Sequence, residues 1–132
     1  MTLYNHNISF PYKIYVSAKI PYCAELSKNR KEIYTKKFTR KKIKNPIHEQ
    51  SKRIVYLKFA SLTRSIQFVP RSPVLVVVTV CSTKRSCDAH NFAEGICDAL
   101  EDAIKVNDRY FQVYTIPMIN KDDPHIKIEV LQ

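Results

Sequence analysis

The chain predicts an α/β (α+β) domain: a mixed, mostly antiparallel sheet of about five strands with two principal helices. Three observations carry that expectation. Apolar residues recur at helical spacing in two stretches, Val55-Phe59-Leu62-Ile66 and Phe92-Ile96-Ala99-Leu100-Ala103. Apolar runs of strand length stand before, between and after them. The 132 residues are 45% apolar and 26% charged, enough to bury one core and too apolar for wholesale disorder. One domain over residues 1–132 is expected.

The elements follow in order. Ile8, Phe10, Tyr12, Ile14 and Val16 alternate in patches, which predicts one or two early strands within residues 7–20. Residues 24–45 form a loop or irregular hairpin rich in Lys and Arg. Asn45-Pro46 then supplies a cap and a proline at the first helical position, opening an amphipathic helix over residues 46–66. Pro70 and Pro73 end that segment and precede a buried strand, Val74 to Val80. A polar, basic connection, residues 81–87, delivers the chain into a second helix over His90 to Ile104. Its polar face carries Glu94, Asp98, Glu101 and Asp102, and Asn91 with Glu94 resembles a capping box. Gly95, the only glycine, costs about 1 kcal/mol inside a helix relative to Ala, which close packing against the sheet would explain. Two final strands, Tyr110–Ile116 and Ile126–Leu131, are joined by a polar turn around Asn120–Pro124. Ile126, Ile128 and Val130 alternate cleanly, so the last strand has one wet face.

Composition narrows the function. No apolar run approaches the roughly 20 residues of a membrane span, and the longest, Val74 to Val80, is strand-sized. The start, Met-Thr-Leu-Tyr-Asn-His, has neither a basic leader nor an apolar signal core, so a cytoplasmic protein with reduced thiols is expected. The net charge of +10 is unevenly placed. Residues 1–87 hold eighteen Lys and Arg against three acids, a net of +15; residues 88–132 hold four against nine, a net of −5. A basic surface beside a carboxylate cluster suits a polyanion and a metal working on its phosphodiesters, although charge alone also serves solubility. Of the four cysteines, Cys97 falls near the apolar helix face, while Cys81 and Cys87 with His90 allow a small zinc-stabilised module at an unusual spacing.

The acidic half is sharpest at Asp88-Ala89-His90-Asn91, opening the second helix, with Asp108 following that helix. These acids meet only if the next strand turns back beside the helix N-terminus; carboxylates converging there would hold Mg²⁺ or Mn²⁺. Taken alone, Asp88 also suits a helix cap and Asp108 a turn after Asn107. The strings Asp88-Ala89-His90-Asn91-Phe92, Asp98-Ala99-Leu100 and Asn107-Asp108 resemble the RusA family of Holliday junction resolvases. The core of that family reads Asp-x-Asp-Asn-Leu, Asp-Ala-Leu, then Asp-Asp. The order of early strands, basic stretch, helix, apolar strand, acidic helix and terminal hairpin is similar too. The specific matches lie between Lys84 and Gln112.

The resemblance implies a homodimer that binds four-way DNA junctions and nicks them symmetrically with Mg²⁺ or Mn²⁺. It makes Asp88 and Asp108 the first expected ligands, and Lys84 and Arg85 the basic residues before the acidic motif. Three positions depart from the pattern. His90 stands where the second aspartate is expected, Glu94 where a lysine is usual, and Arg109 where the last aspartate would be. Imidazole in place of a carboxylate disfavours Mg²⁺ relative to Mn²⁺ or other transition ions. His90 would then ligate or orient water, and Glu94 would ligate or act as base, giving a catalytic and metal set of Asp88, His90, Glu94 and Asp108. The other reading is a relative that binds branched DNA or RNA and no longer cuts. In both, Lys36, Lys37, Arg40, Lys41, Lys42 and Lys44, interleaved with Tyr34 and Phe38, are the expected phosphate contacts.

Overall fold

The computed structural model describes residues 12–30, 32–34, 42–83 and 88–132. Its strands are β1 (Tyr15–Pro21), β2 (Glu32–Tyr34), β3 (Lys42–Lys44), β4 (Val74–Ser82), β5 (Phe111–Ile119) and β6 (His125–Leu131). Its α-helices are α1 (Pro46–Leu62) and α2 (Ala93–Ile104). Four strands make a mixed sheet in the order β1-β6-β4-β5, and β2 with β3 forms a separate antiparallel ribbon. In the sheet β1/β6 and β6/β4 are antiparallel and only β4/β5 is parallel. The α+β class and the mostly antiparallel sheet are as expected.

Alternation places Val16, Ala18 and Ile20 of β1, Val74, Val76, Val78 and Val80 of β4, and Ile126, Ile128 and Val130 of β6 on one face. Val55 and Phe59 of α1 and Ile96, Ala99 and Leu100 of α2 close over that face as a single core. Lys127 on β6 is exposed on the other face, the wet side its pattern predicted. Residues 7–11 of the expected early strands lie outside the described residues.

Asn45 caps α1 as predicted, and its buried side chain does more than cap. Oδ1 accepts from the Ile47 N–H at 3.1 Å, while Nδ2 donates to Glu25 Oε2 at 2.6 Å and to the Arg30 carbonyl at 2.7 Å. One amide thus ties the helix start to the short 3₁₀ turns Ala24–Leu26 and Lys28–Arg30. Asn45→Ala removes the cap and two part-buried hydrogen bonds, so we expect a loss of about 1–3 kcal/mol in urea unfolding. Asn45→Asp, which keeps the cap acceptor, should recover only part of it.

Several boundaries differ from expectation. α1 ends at Leu62 because Thr63 turns back on it, its N–H and its hydroxyl both donating to the Phe59 carbonyl. Leu62 is exposed, and the buried stripe is His48, Ser51, Val55 and Phe59. The second helix opens as a 3₁₀ turn, Ala89–Phe92, and becomes α-helical only at Ala93. Asn91 is therefore not its cap; the N-cap is Phe92, without a side-chain bond. Gly95 packs away from the sheet, for a Cβ there would lie 3.2 Å from the Leu26 carbonyl oxygen and 3.5 Å from His48 Cε1. The last two strands are not a hairpin. The turn at residues 120–124 passes the end of β4, where the Asn120 N–H donates to the Ser82 carbonyl, and sets β5 and β6 on opposite sides of β4.

Candidate nucleic-acid interface and carboxylate sites

The ribbon presents the basic segment. Glu32 pairs with Lys44, Ile33 with Ile43 and Tyr34 with Lys42, so the irregular hairpin expected over residues 24–45 is there in backbone form. Its connecting residues, with Lys36, Lys37, Arg40 and Lys41, lie outside the described residues, as do Lys84 and Arg85. Lys42 is placed in β3 by its backbone, and Lys44 is exposed.

Behind the ribbon a cleft of about 290 Å³ opens between α1 and α2, lined by Lys28, Glu32, Lys44, His48, Glu49, Lys52, Glu94, Gly95 and Asp98. Lys52 spans it, 3.5 Å from Glu49 and 3.6 Å from Asp98. Both contacts are partly exposed and worth no more than about 1 kcal/mol each. His48, only 3% exposed, donates from Nδ1 to the Glu25 carbonyl at 2.7 Å, which leaves Nε2 as the lone-pair nitrogen. Sequence reasoning missed His48. Its signal was there, because positions 48, 51, 55 and 59 continue one helical stripe back from Phe59. Glu94 belongs to this cleft, among three lysines and three other acids.

Asp88 and His90 meet in the turn between β4 and α2. His90 Nδ1 donates to Asp88 Oδ1 at 2.5 Å, and Asn91 Nδ2 donates to Asp88 Oδ2 at 3.2 Å. Asp88 occupies the N-cap position of the 3₁₀ turn, but its carboxylate accepts no backbone bond there. It is exposed and held by two side chains. His90 sits in that 3₁₀ turn rather than in α2, so the four-residue spacing to Glu94 does not make a helix pair.

Asp108 stands at the far end. Its N–H donates to Glu101 Oε2 at 2.8 Å, and Asn107 caps the short turn Asp108–Tyr110 by accepting from the Arg109 N–H. β4, α2 and β5 form a parallel crossover unit, so the strand after the helix starts beside the helix C-terminus. The twelve residues of α2, about 18 Å of helix, stand between Asp88 and Asp108. The expected convergence within one chain does not occur. Among the described residues no three His, Cys, Asp or Glu side chains gather closely enough to hold one metal ion. Of the expected set, the described residues bring Asp88 and His90 together, hydrogen-bonded to each other. Cys87 lies outside the described residues, so the Cys81–Cys87–His90 set is not placed.

Cys97, on the buried side of α2, has its thiol pushed up from 9.0 to about 12, first by burial, then by the Asp108 and Asp98 carboxylates. Below pH 9 the thiol is protonated both folded and unfolded and adds no pH dependence. Between pH 9 and 12 the unfolded chain binds fewer protons, so stability declines as pH rises. Cys97→Ala should flatten that decline relative to the wild type in urea titrations across the window.

Among the described residues no helix is long and apolar enough to cross a membrane. Comparison with family models and with curated proteins finds no match for this chain. The likeness to the RusA resolvases accordingly rests on the residues quoted above.

Proposed function

We propose that this protein binds four-way DNA junctions as a homodimer and nicks them symmetrically in a reaction that depends on Mg²⁺ or Mn²⁺. The observation that carries the reading is the separation of charge. A net of +15 before residue 88 includes the ribbon segment, and the acidic half opens with Asp88, exposed in the turn between β4 and α2. The order of helices and strands and the three quoted strings support it.

The residues' own chemistry is limited and specific. Asp88 holds Nδ1 of His90, which leaves Nε2 to accept a proton or take a ligand. Lys44 and its neighbours neutralise phosphate charge. A divalent ion would supply Lewis acidity at the scissile phosphate. The departures at His90, Glu94 and Arg109 support a second reading, a protein that binds branched DNA or RNA without cutting.

Cleavage of a labelled four-way junction with Mg²⁺ and then Mn²⁺, beside a linear duplex, separates the two. Paired nicks near the branch point are expected. Selective binding with no cut in either metal would establish the second reading, and equal treatment of junction and duplex would sink both.

A further inference from the structure

Left-handed backbone strains any residue with a Cβ, and a chain that keeps it there has a reason at that place. Among the described residues only two non-glycine positions have positive φ, Arg71 at 60° and Lys105 at 62°. Lys105 ends α2, where glycine is the usual left-handed cap. Arg71 lies in the turn before β4. Both line one cleft of about 270 Å³, between that turn and the segment joining α2 to β5.

The charged wall of this cleft has one sign. Arg109 joins Arg71 and Lys105, with buried Val106 and half-buried Tyr110 as the apolar part, and no acid lines it. The clefts between α1 and α2 are built differently. The larger sets Glu49, Asp98 and Asp102 against Lys52, Arg53 and Lys105 itself, and the one behind the ribbon holds four acids beside three lysines. All twelve acids of the chain are among the described residues, and none pairs with Arg71, Lys105 or Arg109.

The remaining polar groups donate. Asn107 Oδ1 accepts the Arg109 N–H at 3.0 Å, which leaves the Asn107 amide group as a donor. Arg109 lies over the Tyr110 ring, 5.4 Å from its centroid, so the guanidinium is anchored without spending its N–H groups on a carboxylate. The negative end of α2 opposes an anion here, but by about half a charge against three.

We propose that this cleft binds the phosphate monoester of a nucleotide, either at the end of a nucleic-acid strand or free. A carboxylate brings one charge. A phosphate monoester brings nearly two and three acceptor oxygens, which suit two guanidinium groups, an ammonium and an amide. The guanidinium face of Arg109 turned away from Tyr110 offers the base a stacking surface. The site needs neither a metal nor junction cleavage.

Calorimetry of the full chain with adenosine 5′-monophosphate and with adenosine tests the cleft. The monophosphate should bind about tenfold more tightly or better, and Arg109→Gln should weaken it about tenfold. Arg71→Gly and Lys105→Gly each remove a cation and relieve a left-handed position. Their urea midpoints should hold or rise while monophosphate binding falls about tenfold. Lys127→Ala, on the wet face of β6, should change neither. Equal binding of monophosphate and adenosine overturns the proposal, as does full affinity in all three cleft variants. Glycine variants that lose stability overturn the reading of those two positions, and Arg109→Gln, at an ordinary φ, then decides the cleft. A single strand with a 5′-phosphate, bound about tenfold more tightly than its 5′-hydroxyl twin and than the monophosphate, assigns the cleft to strand ends. Monophosphate bound as tightly as that strand assigns it to free nucleotide.

Discussion

Asp88→Asn is expected to abolish nicking of a four-way junction while leaving junction binding unchanged or tighter. The asparagine keeps the size of Asp88 and one of its two accepting oxygens, so the turn at Ala89–Phe92 should survive. What it loses is the negative charge beside His90 and any grip on a divalent ion. Removing a charged ligand costs a metal-dependent step at least ~10²-fold, by analogy with the cost of weakening a metal's surrounding shell. Binding should not fall, because a carboxylate opposes the phosphates that the basic ribbon attracts. Gel-shift and cleavage assays on the same labelled junction read both quantities. Binding and cutting lost together, in a folded variant, would instead make Asp88 a structural residue of the turn.

Junction affinity is expected to collapse with salt. If about six phosphates meet Lys and Arg from the ribbon segment and its neighbours, the log–log slope is near −5 and affinity falls about 10³-fold from 50 to 200 mM salt. Lys44→Ala, an exposed site at the end of β3, should reduce the slope by about one and weaken all sequences alike. A flat response would remove the basic segment from the interface.

Much of this architecture was legible in the residues, for identifiable reasons. Asn45-Pro46 is a local signal with a local outcome, and the cap formed where it was read. The alternation of Ile126, Ile128 and Val130 and the continuous run after Pro73 are likewise local, and both became central strands. Neighbour relations were not legible. Periodicity says that Tyr110–Ile116 is a strand but not which strand it joins, and an apolar run suited to a core proved to be an exposed edge. The end of α1 escaped because the Thr63 hydroxyl competes for the Phe59 carbonyl, while Ile66 still reaches the core from the loop.

The site divided along the same line. Asp88 and His90, two residues apart, meet as spacing allows. Asp88 and Asp108, twenty apart, depended on the direction of the strand after the helix, and a parallel crossover sends that strand away from the helix N-terminus. Glu94 followed its helix face into a different cleft, beside a histidine that no motif announced.

β6 sits between β1 and β4, though it is made from residues 125–131. The register joins Tyr15 to Leu131 and Leu75 to Leu131, so within the sheet β1 is joined to β4 only through this late strand. Until those residues leave the ribosome, β1 has no ladder and the inner face of β4 is short of Ile126, Ile128 and Val130. Contacts this distant in sequence make for slow closure and a long window of exposed strand. A premature stop before His125 removes the centre of the sheet, not its margin.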